Sequence, residues 1–164
     1  MRILGIDPGT AICGWGIVER RGSRSESLGF GAIRTESQWT PEHRLSHIYE
    51  ALSEIIKTHQ PEYAAVEKLF FGQNSTTALA VGQARGVVLL GIAQAGIPLV
   101  EMTPNEVKQT VTGYGLASKS QIQGMVQRLL GLQAKPTPDD AADALAVALT
   151  GLEYVRFRGV IHDR

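Results

Sequence analysis

Residues 139–149 read DDAADALAVAL, alanine, leucine and valine on nearly every face of a helix, with three aspartates among them. A helix that is apolar all round is a buried helix, so the rest of the chain has to enclose it. Its alanines allow the helix backbone to lie close against a neighbouring sheet. Thr137 reads as the cap, and Pro138 as the first helical residue, where a missing N–H costs nothing. Asp139 and Asp140 then fall in the first turn, where negative charge suits the helix dipole. Asp140 also stands three residues after Thr137, a capping-box spacing. Asp143 has no such account. It lies past the first turn between alanines, on the face of Asp140 by its i, i+3 spacing, and no lysine or arginine lies between Asp139 and Arg156 to pair with it. A buried carboxylate without a partner protonates, pairs with a distant cation or binds a metal.

What encloses this helix is read from periodicity. Residues 2–7, 14–20, 27–35, 62–67 and 98–101 read as strands, with a turn around residues 21–25. Leu45, Ile48, Leu52, Ile55 and Ile56 recur at helical spacing over Pro41–His59. Residues 74–95 form a long small-residue helix capped by Asn74 or Ser75, and three more helices are expected near 104–111, 118–130 and 138–150. An opening meander followed by alternating helix and strand predicts a mixed sheet flanked by helices, of the α/β class.

Composition narrows the rest. A chain of 164 residues with 43% hydrophobic and 20% charged residues is one soluble globular domain. No apolar run approaches the roughly 20 residues of a membrane helix, so no membrane association is expected. The segment MRILGIDPGT is too short in its apolar part for a signal peptide, and a cytoplasmic location is the expectation. A single cysteine, Cys13, rules out an intrachain disulfide and a cysteine-type zinc site. Sixteen basic residues balance sixteen acidic ones. That argues against a nucleic-acid binder, unless several acids belong to a metal site whose cations reverse the local sign.

Two further acids sit where chemistry collects in α/β sheets, at strand ends beside loops. Asp7 closes the first strand before Pro8-Gly9, and Glu67 closes the strand AAVE. With Asp140 and Asp143 they make an all-oxygen set that suits Mg²⁺ or Mn²⁺ rather than zinc. Two such ions about 4 Å apart activate water and stabilise a leaving oxygen in phosphodiester cleavage. His43, His47, His59 and His162 show no ligand spacing and read as surface residues.

The segments ILGIDPGT, AAVEKLFFGQN, TALAVGQARGV, NEVKQTVTGYGLASKSQI and DDAADALAVAL, in that order, resemble the motifs of the RuvC family. These are bacterial Holliday-junction resolvases, crossover junction endodeoxyribonucleases with an RNase H-like fold. The resemblance covers about residues 1–150, the expected nuclease domain, and leaves 151–164 as a C-terminal tail that matches no motif. It implies an RNase H-like mixed five-stranded sheet flanked by helices. Position by position it puts the catalytic, metal-holding acids on Asp7, Glu67, Asp140 and Asp143. Some members carry histidine where Asp140 stands, and Asp139 has no counterpart.

The resemblance further implies two Mg²⁺ ions per subunit, with Mn²⁺ as an alternative. Its substrate would be a four-way DNA junction, cut by two symmetric nicks that leave 5′-phosphate and 3′-hydroxyl ends in recombination and repair. Phe70 would stack on a base near the cut; of Phe70 and Phe71, alternation buries one and exposes the other. Lys108 and Lys119 match lysines near the DNA phosphates, Lys119 also steadying developing charge, and Lys68 and Arg85 are further contacts. The helix 74–95 would form a homodimer contact, in which Ala78, Gly82 and Gly86 allow close packing. The partners implied are junction DNA, a second copy of the chain and the RuvA–RuvB branch-migration complex. One alternative is a junction-binding module without catalysis, against which the four filled acidic positions speak. Another is a sugar-kinase or actin-type ATPase, suggested by GIDPGT and GWGIV, which needs a second domain and a second phosphate loop.

Overall fold

The computed structural model describes residues 1–69 and 75–162. Strands β1 (Arg2–Asp7), β2 (Ile12–Arg21) and β3 (Arg24–Arg34) lead to α1 (Pro41–His59), β4 (Tyr63–Glu67) and α2 (Ser75–Gln94). Then follow β5 (Leu99–Met102), α3 (Pro104–Thr112), α4 (Lys119–Leu129) and α5 (Asp139–His162). The five strands form one sheet in the order β3-β2-β1-β4-β5. The first three are an antiparallel meander, and β4 and β5 run parallel to β1 through helical crossovers. This is the expected mixed sheet. The β2–β3 hairpin is tighter than expected, because Gly22 at φ 61° supplies the left-handed turn residue between long strands.

Strand alternation divides the core. Leu4, Ile6, Ala64 and Val66 face α1 and α2, meeting Ile48, Leu52, Ala84, Val88 and Ile92. Ile3 and Ala65 face the opposite way, onto α3, α4 and α5. Asp7 has the parity of Ile3, and Glu67 that of Ala65, so the period of two turns both acids toward α5.

Helix α5 is the buried helix that its composition demands: from Ala141 to Thr150 every residue except Asp143 is buried. Glycines let it approach the sheet. A Cβ on Gly5 would stand 2.1 Å from the Ala144 carbonyl oxygen, and one on Gly16 2.7 Å from Leu145. The helix begins one residue later than expected. Pro138 lies at the cap, its carbonyl accepting from the amides of Ala141 at 3.0 Å and Ala142 at 3.2 Å, with Thr137 one residue before it. It also runs on to His162 instead of ending near 150. Gly151 does not break it, because that glycine is a packing residue: a Cβ there would fall 2.6 Å from Ile3 and 2.8 Å from Ala65. Leu152 is buried one residue on.

Two other expectations change. Within α2, Thr77–Gln94 has a mean hydropathy of 1.2 and is, by length and composition alone, apolar enough to cross a membrane. The expectation that no apolar run approaches that length is therefore not met. The histidines are not simply surface residues, since His47 and His59 are half-buried against Trp39 and Trp15 and His43 stacks on Trp39 at 4.6 Å. The proposed cap Asn74, and Phe70 and Phe71, lie outside the described residues.

Candidate active site

Asp7 is the last residue of β1, paired across the hairpin with Gly14 of β2. A Cβ at Gly14 would stand 2.0 Å from the Asp140 carbonyl oxygen. That missing side chain is what lets the first turn of α5 descend onto the sheet beside Asp7. The turn after Asp7 is tied down on two sides. Thr10 Oγ1 donates to the Ala80 carbonyl of α2 at 2.7 Å, and Thr35 Oγ1 donates to the Thr10 carbonyl at 2.6 Å. On the other strand, the Lys68 amide donates to the Met102 carbonyl at 2.7 Å, holding the exit of β4, and thus Glu67, against β5.

Asp7, Glu67 and Asp143 line one cavity of about 270 Å³, together with Lys108 of α3 and Lys119 of α4. Asp140 stands behind it, close enough to act on the charges of Asp7 and Asp143. Burial first, then the charges of Asp143, Asp140 and Glu67, push the Asp7 carboxyl up to about 7, against a smaller opposing pull from Lys119. Burial and Asp143 also raise Glu67, with Lys108 pulling the other way. Asp143 is raised by burial, which the contact with Lys119 offsets only in part. Cys13, buried nearby, has its thiol pushed up to about 12, chiefly by burial, and is no nucleophile.

Lys119 is the surprise of the site. The first turn of α4 is set by a capping box between Ser118 and Gln121. From it the ammonium reaches 3.2 Å from Asp143 and 3.5 Å from Asp139. Asp139 in turn accepts from Gln123 Nε2 at 2.9 Å. Asp143 therefore has a partner, supplied by another helix, which its own neighbourhood in the chain does not reveal. Among the described residues no three Asp, Glu, His or Cys side chains enclose an ion position. The donor chemistry nevertheless fits a hard divalent cation: the donors are carboxylate oxygens, and burial and neighbouring carboxylates raise Asp7, Glu67 and Asp143 together.

Residues 3–151 match the profile of the family described as crossover junction endodeoxyribonuclease RuvC. The Moorella thermoacetica protein of that name is 56% identical over 158 residues, spanning 96% of this chain and 95% of the relative. The chain belongs to the RuvC family. Membership makes it a crossover junction endodeoxyribonuclease, in a family of metal-dependent nucleases. Thermus thermophilus RuvC, solved in complex with a Holliday junction substrate, superposes with a TM-score of 0.91 at 37% identity over 96% of each chain. The yeast mitochondrial Holliday junction resolvase Ydc2 has a TM-score of 0.65 at 12% identity over 93% of this chain and 79% of that one, a likeness of fold alone. The RNase H-like architecture is thus the RuvC one.

The remaining expected RuvC site residues fall in different places. Lys108 and Lys119 line the acidic cavity, and Lys68 is exposed at its edge, next to Glu67. Arg85 is turned away from it, ion-paired with Glu101 of β5 with its side chain 17% exposed. Phe70 lies outside the described residues. On α2, Cβ atoms added to Gly82 or Gly86 would meet nothing within 4 Å, so these glycines do not pack on the chain's own sheet. Ala78 is half-buried. Sequence reading missed the Arg85–Glu101 pair and the Gln123–Asp139–Lys119 chain. Their only sequence signal was charge complementarity between residues distant in the chain.

Proposed function

We propose that this chain resolves four-way DNA junctions in recombination and repair, as a cytoplasmic homodimer that makes one nick per subunit and works with a RuvA–RuvB branch-migration complex. One observation carries the reading: carboxylates from β1, β4 and α5 meet two lysines in a single cavity, in a chain 37% identical over 96% of its length to a RuvC solved with a junction. Asp7, Glu67, Asp140 and Asp143 would hold two Mg²⁺ ions per subunit, or Mn²⁺ in their place. When bound, such ions supply a nucleophile from water and stabilise the departing oxygen.

The chain's own residues do the rest. Asp7 presents its carboxylate from the end of β1, beside a turn tied down by the Thr10 and Thr35 hydrogen bonds. Lys108 and Lys119 bring positive charge to the mouth of an otherwise acidic cavity. They offset the approach of a phosphodiester to like charge and orient it. Lys119, on the rigid first turn of α4, is placed to steady charge developing on the phosphoryl oxygens. Lys68 at the rim is a further phosphate contact, and Phe70 a base-stacking residue. Two outward α2 helices, packed through Gly82 and Gly86 with Ala78 beside them, would set two such sites at symmetric positions on one junction.

The test is a synthetic mobile junction, labelled in turn on each strand and incubated with Mg²⁺, Mn²⁺ or EDTA. Paired, symmetric, ligatable nicks that require metal are expected, and Asp7→Asn is expected to bind the junction without cutting it. Binding with no cleavage under either metal would make the chain a junction-binding module. Cleavage of plain duplex at an equal rate would overturn the substrate.

A further inference from the structure

A second hollow, of about 510 Å³, lies on the outward side of α4. Tyr114, Ser120, Gly124, Gln127, Arg128 and Lys135 line it, and among the described residues no carboxylate does. Ala117, which is buried, lines both this groove and the catalytic cavity, so the two lie on either side of one residue. Residues 120, 124, 127 and 128 share one face of α4 by their spacing. At Gly124 an added Cβ would meet nothing within 4 Å, which leaves the floor open to close approach. Lys135 comes from the loop before α5, its Nζ 3.3 Å from Ser120 Oγ, so the ammonium is drawn in over the helix. Tyr114 is 55% exposed at the rim. In a chain with equal numbers of acidic and basic residues, a groove with two cations, hydroxyl and amide donors and no acid is suited to a polyanion. The groove adjoins the candidate catalytic cavity across Ala117, and the polyanion that such a cavity would act on is junction DNA.

We propose that this groove seats the sugar-phosphate backbone of one duplex arm of the junction as it leaves the catalytic cavity. Arg128 and Lys135 each take a phosphate, Ser120 and Gln127 add neutral donors, and Tyr114 packs against sugar at the rim. The proposal rests on the junction-resolvase reading and adds a location to it. Contacts of this kind fix the position of the arm and carry no base information.

The experiment measures junction binding by fluorescence anisotropy in EDTA over a range of salt. It compares the wild-type protein, the double variant Arg128→Ala/Lys135→Ala, and Gly124→Glu, which puts a carboxylate on the groove floor. Thermal melting checks that each is folded; all three positions are on the surface of α4 or its following loop. For the double variant, about tenfold weaker binding near 0.1 M salt is expected, with a slope of log K against log salt shallower by about 2. The loss should be equal for different junction sequences, and it should vanish on junctions whose arms are clipped to a few base pairs. Gly124→Glu should weaken binding in the same direction. Unchanged affinity and slope in both variants, with a wild type that binds and cuts junctions, would overturn the groove and leave the resolvase reading standing. A loss that persists on clipped junctions would overturn the arm as occupant. A wild type that does not bind junctions would remove the reading on which the groove rests.

Discussion

The ammonium of Lys119 lies 3.2 Å from Oδ2 of Asp143, so a candidate metal ligand is already paired with a cation from the next helix. A divalent ion that engages Asp143 competes with Lys119 for it. Asp139, 3.5 Å from the same ammonium and held by Gln123, offers Lys119 a second seat from which it still overlooks the cavity. Removing that seat should commit Lys119 to Asp143. For Asp139→Ala, the metal concentration giving half-maximal cleavage is expected to rise about twofold to fivefold, the scale of an exposed ion pair. The rate at saturating metal should stay within about twofold. A metal titration of cleavage checks this, and the shift should disappear in a Lys119→Met background. An unchanged metal profile would remove Asp139 from the site.

Asp7 makes stability depend on pH in a direction that can be worked out. Its carboxyl is raised from 3.8 to about 7 in the fold. The native state therefore holds a proton that the unfolded chain has released across that interval. Stability associated with Asp7 is fully present below about pH 4, falls as pH rises, and is lost above about 7. Asp7→Asn removes the titration. In EDTA the variant should melt about 5 °C or more above wild type at pH 8 and equally at pH 4. Added Mg²⁺ at pH 8 should raise the wild-type melting temperature and leave the variant little changed. A wild type no less stable than Asp7→Asn at pH 8 would mean that Asp7 is not crowded by the other acids.

The descent of α5 onto the sheet can be broken at one atom. Gly14→Ala puts a Cβ 2.0 Å from the backbone oxygen of Asp140, which has no side-chain freedom with which to yield. The start of α5 has to lift, carrying Asp140 and Asp143 with it. The expected cost is about 1–3 kcal/mol of stability by urea denaturation, with a loss of cleavage of about a hundredfold from displaced ligands. Gly124→Ala, where an added Cβ meets nothing within 4 Å, serves as the stability control and should be neutral or mildly stabilising.

Much of this architecture was legible in the chain because it rests on period and on small residues. The alternation that buries Ile3, Leu4 and Ile6 also says that Asp7 and Glu67 face one side. The alanines of residues 139–149 require a close sheet, and Gly5, Gly14 and Gly16 provide it. Of the four acids, Asp143 stands out because a charge on an apolar helix past its first turn has no ordinary explanation. Asp7, Glu67 and Asp140 each also fit a turn, a strand exit or a helix start, and the resemblance to the RuvC family is what joins the four. What was not legible depends on how helices pack at their ends. Nothing local in Lys119 or Asp143 tells that the first turns of α4 and α5 meet. Gly151 looks like a helix stop in one dimension, and only its contact with Ile3 and Ala65 shows why the helix continues through it.

Arg85 separates two kinds of role. Its guanidinium is paired with Glu101, joining α2 to the edge strand β5, and its side chain is largely covered. A residue so placed acts on the fold before it acts on DNA. Arg85→Ala should lower stability by about 1 kcal/mol and leave junction affinity within about twofold in a gel-shift titration. A loss of affinity of tenfold or more, without loss of stability, would instead make Arg85 a phosphate contact.

The outward face of α2 bears on the proposed homodimer. Leu79 is 67% exposed and Leu90 52% exposed, with Gln83 and exposed Gly86 between them at helical spacing. Two large leucines flanking an open glycine are an apolar strip that a monomer would leave in water, and a second copy can bury it about a two-fold axis. The opposite face, Ala84, Val88 and Ile92, is already used by the core, so a substitution at Leu90 perturbs assembly without perturbing the fold. For Leu90→Glu, sedimentation velocity should show dissociation about thirtyfold or more weaker in affinity, the scale of a central interface residue. The melting curve should lose its dependence on protein concentration. A monomer with an intact cavity would still cut, and the cleavage pattern should change from paired nicks on opposed strands to single, uncoordinated ones. Paired nicking by a variant that sediments as a monomer would place the coordination elsewhere than in α2.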